Sequence, residues 1–219
     1  MLSPFMPKFT DLPSELPVFP LAGAVALPGV QLPLNVFEPR YLNMVQDVLA
    51  TDHLIGMIQP LSGQEREEIP ALHRVGCAAR VTSYSETNDG RVVIVLTGLC
   101  RFEIQGELEE QRGYRRVRAA WDRFAIDYQP QAGRLVNREG FLASLRAYVR
   151  PRGVEIPWDD LKTLGDRDLI NLLCAHLPLP SEDKQALIET IDLAARADLM
   201  RGLMDMAAAS SMDGVEQRH

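Results

Sequence analysis

Only three cysteines and three lysines occur among the 219 residues, and both scarcities narrow the chemistry open to the chain. Cys77, Cys100 and Cys174 are odd in number, widely spaced and without a CxxC pair, which argues against a disulfide framework or a cysteine-based metal site. Their neighbours are mostly small or apolar, so they read as buried, reduced thiols in a reducing compartment. Of the lysines, Lys8 lies in a stretch with little periodicity, and Lys162 and Lys184 are predicted on exposed helix surfaces. None has the desolvated setting that turns an amine into a base. Ser181, close to Lys184, reads as a helix cap instead. No G-x-x-x-x-G-K-[ST] phosphate loop is present, and His53, His73, His176 and His219 show no HxxxH or HExxH spacing. No run approaches the roughly 20 apolar residues that span a bilayer. The prolines between residues 16 and 33, with Lys8 offset by Asp11 and Glu15, also speak against a secretory signal, although Ala22-Gly23-Ala24 imitates a cleavage site. The residues thus present no catalytic constellation, no metal-ligand set and no cofactor motif, and the chain reads as soluble and cytoplasmic.

A basic half is missing too. Net charge is −7, with 12 basic and 16 acidic residues over 1–128 and 11 and 14 over 129–219. That balance argues against nucleic acid and anionic membrane as partners. The one arginine run, Arg112, Arg115, Arg116, Arg118 and Arg123, follows Glu107, Glu109 and Glu110, and alternation spreads it over a solvated strand face.

What is abundant is proline set among short apolar runs. Leu16-Pro17-Val18-Phe19-Pro20-Leu21, Leu27-Pro28-Gly29 and Leu32-Pro33-Leu34 forbid one long helix and require extended segments joined by turns. Pro39 then opens a helical stripe of Tyr41, Leu42, Val45, Val48 and Leu49 through Ala50. From there to about Ile126 strand signals dominate. His53–Gln59 is a short buried strand. Val75–Val81 leads to a hairpin whose Asp89-Gly90 pair supplies positive φ, and Val92–Leu96 reads as a strand covered on both faces. Arg101–Ile104 and Tyr114–Trp121 alternate. Past Gln129–Gly133, a linker, the period is helical: Leu135–Tyr148, Trp158–Leu164, a helix capped by Asp166, one capped by Ser181, and a last one from about Leu193. The expected class is α+β, with an arm over 1–15, a partly closed β-barrel lobe with one helix over 16–128, a helical bundle over 129–209 and a frayed tail over 210–219.

Four segments, in order, resemble the substrate-binding domain at the N-terminus of Lon proteases. They are the proline-punctuated opening through Phe37-Glu38-Pro39-Arg40-Tyr41, the strand Val75–Val81, the G-x-x-R-F turn Gly98-Leu99-Cys100-Arg101-Phe102, and the P-x-x-x-K-Q run from Pro180 through Lys184-Gln185. The resemblance covers roughly residues 14–206. It implies a lobe like the pseudouridine-synthase-and-archaeosine-transglycosylase (PUA) barrel, followed by a helical bundle, and a client adaptor or sensor whose partners are polypeptide clients or a protease or chaperone. The chain ends where the family's motor and peptidase would follow, so the resemblance implies a stand-alone, non-enzymatic, cofactor-free module. The structural role of Glu38, Arg40 and Tyr41 is a helix start with a local ion pair. The functional one puts Phe37, Arg40, Tyr41 and the Arg101–Phe102 turn at a peptide groove. Because PUA-like barrels often bind RNA, the alternative is an RNA- or nucleotide-binding module sensitive to Arg115 and Arg116.

Overall fold

The computed structural model describes residues 6–64, 67, 69–129 and 134–216, with side chains through Ala209. Six strands form one mixed sheet: β1 (Glu15–Pro20), β2 (Gln31–Val36), β3 (Leu54–Ile58), β4 (Val75–Glu86), β5 (Val92–Gln111) and β6 (Tyr114–Ala120). Their order is β2-β5-β4-β3-β1-β6, and β6 pairs β5 as well. β1 and β3 run parallel, with Val18 opposite Gly56, and the other pairings are antiparallel. The parallel pair requires a crossover. Helix α1 (Pro39–Leu49) lies within it, with Pro39 in the first turn, Glu38 preceding it, and Tyr41, Met44, Val45 and Val48 turned inward. Five further helices follow: α2 (Arg138–Val149), α3 (Trp158–Thr163), α4 (Asp166–His176), α5 (Ser181–Glu189) and α6 (Leu193–Glu216).

Alternation along the strands feeds two cores. Leu16, Val18, Leu54, Ile58, Val75, Ala78, Phe102, Val117 and Trp121 form one. Phe19, Ile55, Met57, Cys77, Ala79, Ile94 and Leu96 face the other way and share a second core with Phe141, Leu145, Leu173, Leu187 and Met200 of the helices. Residues on both sides of 129 therefore pack in one continuous apolar cluster. The expected linker at 130–133 lies outside the described residues. Within the expected arm, Phe9 meets Tyr128 edge-on at 5.4 Å, and the Tyr128 hydroxyl and Trp121 indole donate to the carbonyls of Pro7 and Pro13. Helix α6 runs as far as Glu216, and 217–219 lie outside the described residues.

Two close approaches require glycine. A Cβ on Gly98 would stand 2.0 Å from the Leu27 carbonyl oxygen, because the Leu27-Pro28-Gly29 turn presses on β5 there. A Cβ on Gly76 would stand 2.5 Å from the Met57 oxygen and 2.9 Å from the Phe102 ring, which fills the space the glycine leaves.

Buried polar groups stitch helices to sheet. Arg101, 1% exposed, donates through its backbone N–H and Nε to Asp127 Oδ2 and through Nη2 to Oδ1. Its Nη1 donates to the carbonyls of Ile188 and Thr190 at the end of α5. Arg196 donates to Thr190 as well and to Asn171 Oδ1, and Asn171 Nδ2 donates to the Pro28 carbonyl. Gln185 donates to the Val75 carbonyl, and Gln59 donates to Gln185 and to the Ser181 carbonyl. Lys184, expected on an exposed surface, is 7% exposed, and its ammonium donates to the carbonyls of Gly23 and Ala175 at 2.9 Å each. Burial lowers its pKa. A lone amine costs several kcal/mol to bury unpaired, so each of these bonds has a desolvation penalty to offset.

Three local expectations change. The helix caps are Gly165 and Pro180, one residue before Asp166 and Ser181. Asp166 instead accepts from the Leu135 N–H and pairs Arg138. In the 87–91 hairpin only Gly90 has positive φ; both central residues are positive instead at the tight β5–β6 turn, Arg112 and Gly113. Val93, expected to be covered, is 38% exposed, because the sheet is antiparallel here and one face meets solvent.

Candidate functional site

The start of α1 meets the end of β1, the Ile69–Pro70 segment and the β5–β6 turn around a cleft of about 270 Å³. The hairpin tip is what holds α1 in place. Tyr114 donates its hydroxyl to Asp47 at 2.9 Å, Arg112 pairs Asp47, and Arg112 exchanges hydrogen bonds with Asn43 through its guanidinium and carbonyl. Burial pushes the Asp47 carboxyl up, but the hydrogen bonds from Tyr114 and Arg112 outweigh it and leave its pKa below the ordinary value.

Tyr41 forms the floor. Its ring stacks on Phe19 with centroids 4.1 Å apart, and the Arg40 guanidinium lies 4.8 Å from its centroid. Burial raises the Tyr41 pKa against the opposing pull of Arg40. Arg40 also pairs Glu38 at 2.9 Å. Opposite, Arg115 grips Glu107 with two nitrogens and donates to the Pro70 carbonyl at 2.6 Å, which ties the Ile69–Pro70 segment to β6. The side chain of Ile69 is 65% exposed. An aromatic stack, a guanidinium over its edge and an exposed aliphatic wall can receive an apolar side chain while engaging a backbone carbonyl or carboxylate.

Of the five residues assigned to a peptide groove, the structure brings Arg40 and Tyr41 together in this cleft. Phe37 is 62% exposed but stands outside the cleft lining, with Arg91 5.9 Å from its ring. Arg101 and Phe102 are 1% and 0% exposed, so they lie within the framework. Sequence reasoning missed Phe19, Ile69 and Pro70. Phe19 lies in the proline-punctuated opening, and Ile69 and Pro70 lie in Leu61–Pro70, whose Glu65, Glu67 and Glu68 make it read as an exposed polar loop. The arginine run is engaged: Arg112, Arg115, Arg116 and Arg123 stand within ion-pair distance of Asp47, Glu107, Glu15 and Glu103. Among the described residues no group of three His, Cys, Asp or Glu could hold a metal ion, and no helix is long and apolar enough to cross a membrane.

The fold and the cleft define a mixed α+β domain that presents a surface cleft on a frame of buried polar bonds. The chain belongs to the family of the ATP-dependent protease La (LON) substrate-binding domain, whose model matches residues 15–206. It is 28% identical over 202 residues to the Lon protease of Anaeromyxobacter dehalogenans, covering 89% of this chain and 23% of that protein. It is likewise 28% identical over 212 residues to Lon protease 2 of Myxococcus xanthus, covering 94% and 25%. The chain thus spans about a quarter of the length of these relatives. The crystal structure of a Lon N-terminal domain protein from Xanthomonas campestris superposes with a TM-score of 0.62 at 26% identity, covering 85% of this chain and 96% of that one. The N-terminal domain of the Mycobacterium avium complex Lon protease shares the fold, with a TM-score of 0.63 at 16% identity over 87% and 98%.

Proposed function

We propose that this Lon-like substrate-binding module acts in the cytoplasm as a client adaptor or sensor, engaging unfolded polypeptide and working with a protease or chaperone. The observation that carries the reading is the cleft at the start of α1, where Arg40 and the Tyr41–Phe19 stack face the exposed Ile69. Family membership supports polypeptide as the ligand class. Burial of all three thiols suits a reducing compartment. On this reading the circuit β5-β4-β3-β1-β6-β5 is the partly closed PUA-like barrel and residues 129–209 the helical lobe, with 16–128 forming the other. Phe37 extends the contact surface beyond the cleft, and Arg101 and Phe102 act from beneath by fixing the frame.

The test is fluorescence anisotropy with a reduced, carboxymethylated polypeptide and its folded parent. The protein is expected to bind the unfolded form and not the folded one. Arg40→Glu combined with Ile69→Asp, both on partly or fully exposed side chains, should weaken binding about tenfold or more, the loss typical of a central contact. Equal binding of both forms, or none, would refute the reading. Displacement of the polypeptide by single-stranded RNA, abolished by Arg115→Ala with Arg116→Ala, would replace it with the nucleic-acid alternative.

A further inference from the structure

Strand β2 ends the sheet. One edge pairs β5 from Gln31 opposite Thr97 to Val36 opposite Val92, and no described strand pairs the other edge. The Gly98 N–H donates to the Val30 carbonyl and the Gly98 carbonyl accepts from the Gly29 N–H, each at 2.9 Å, a bulge that turns the Val30 carbonyl toward β5. Alternation then turns the backbone groups of Leu32, Leu34 and Val36 toward β5 and those of Gln31, Pro33 and Asn35 outward. The three outward residues are all exposed. Pro33 has no N–H, so the free edge presents the donors of Gln31 and Asn35 and the acceptors of all three.

Along the same strand lies a groove of about 670 Å³, between the Pro28–Pro33 segment and Leu164, Asp168 and Leu172 of the α3–α4 region, with His176 at its end. The Asn171 bond to the Pro28 carbonyl fixes the distance between these walls. The lining is largely apolar, and Asp168 is its one carboxylate. Asp168 is exposed, and among the described residues no cation stands within ion-pair distance of it. Burial and the nearby Lys184 ammonium lower the His176 pKa. The carboxylate that the groove presents is that of Asp168, which complements a basic side chain.

Pro33 also selects the occupant. A second copy pairing β2 antiparallel, with Gln31 opposite Asn35, would set Pro33 against Pro33 and leave two carbonyls facing each other without a donor. A strand from another protein, with any other residue at that point, donates to the Pro33 carbonyl. We propose that the β2 edge and its groove take an extended segment of a client polypeptide as an added strand, seating apolar side chains in the groove and an arginine or lysine against Asp168. This rests on the client-binding reading above and supplies a surface separate from the α1 cleft.

The probe is a labelled ten-residue peptide of alternating valine and threonine with one arginine, followed by anisotropy. N-methylation of alternate amides, made in both possible sets, should weaken binding about fivefold or more in one set and leave the other near unchanged, since each lost amide bond is worth roughly 1 kcal/mol. Asp168→Asn should weaken the arginine peptide about threefold and leave its glutamine counterpart unaffected, in line with an exposed ion pair. Asn35→Pro should act like methylation. If the protein binds neither this peptide nor unfolded polypeptide, the client-binding reading itself fails. If it binds unfolded polypeptide but methylation and Asp168→Asn have no effect, the β2 surface alone is refuted. A dimer in sedimentation that dissociates on Asn35→Pro would make a second copy the occupant and overturn the proposal.

Discussion

Replacing Arg101 by methionine should unfold the protein far more readily than any surface change. The guanidinium is bidentate to Asp127, whose side chain is only 6% exposed, and it also caps the end of α5 through the Ile188 and Thr190 carbonyls. Methionine fills much of the volume but leaves the Asp127 carboxylate facing the core with one backbone N–H as partner. Thr190 keeps the donors of Arg196, whereas Ile188 loses its side-chain donor. Breaking a buried pair by removing one partner costs about 3–5 kcal/mol. At roughly 2–4 °C per kcal/mol for a chain of this size, Tm should fall by roughly 6–20 °C. Urea denaturation reads the first quantity and thermal melting the second, both followed by circular dichroism. Adding Asp127→Leu should recover most of the loss, because replacing a buried pair with apolar residues is often neutral. A loss below about 1 kcal/mol for Arg101→Met would show that Asp127 regains water at little cost, and the account of Arg101 as a frame residue would fall.

Gly98→Ala should cost about 3 kcal/mol or more, because its methyl group would overlap the Leu27 carbonyl and overpacking against backbone cannot relax through a side chain; a Tm within 2–3 °C of the parent, a loss under roughly 1 kcal/mol, would disprove the close approach. The thiols predict alkaline sensitivity. Burial pushes Cys174 up to about 11 from an ordinary value near 9 and pushes Cys77 and Cys100 higher still. Unfolded thiols lose their protons first, so stability is fully present below pH 9 and falls as pH climbs toward 11. Denaturation midpoints at successive pH values should decline over that window and decline less steeply in Cys174→Ala; parallel curves for the two proteins would contradict it.

Much of the architecture was readable from local patterns. Pro39 before an apolar stripe gave α1, and the fully buried Leu54–Ile58 run gave β3, because both depend on neighbours in sequence. Helix starts were displaced by one residue where a better partner existed elsewhere: Asp166 serves Leu135 and Arg138 rather than its own helix. Lys184 looked like a surface residue because nothing in its segment announces the Gly23 carbonyl, 161 residues away, that accepts its hydrogen bond. The same holds for the groove. The G-x-x-R-F and K-Q motifs that carried the resemblance lie in the interior, where they stitch helices to sheet. Arg101 and Phe102, expected at a peptide groove, are buried among these frame residues. The α1 cleft was half legible: Arg40 and Tyr41 are adjacent in sequence, but Phe19, Ile69 and Arg115 arrive through tertiary packing.

The twenty-residue strand β5 has a consequence for the newborn chain. Among the described residues it is β2's one partner in the sheet, one of β4's two, and the strand that β6 returns to. During synthesis β2 emerges first and waits for β5 with both edges bare. At about 5–20 residues per second the interval from Val36 to Thr97 lasts roughly 3–12 s, long enough for unpaired strand edges to find the wrong partner. Before its fold is complete, each copy thus passes through a stage in which it offers an unpaired strand to whatever is near.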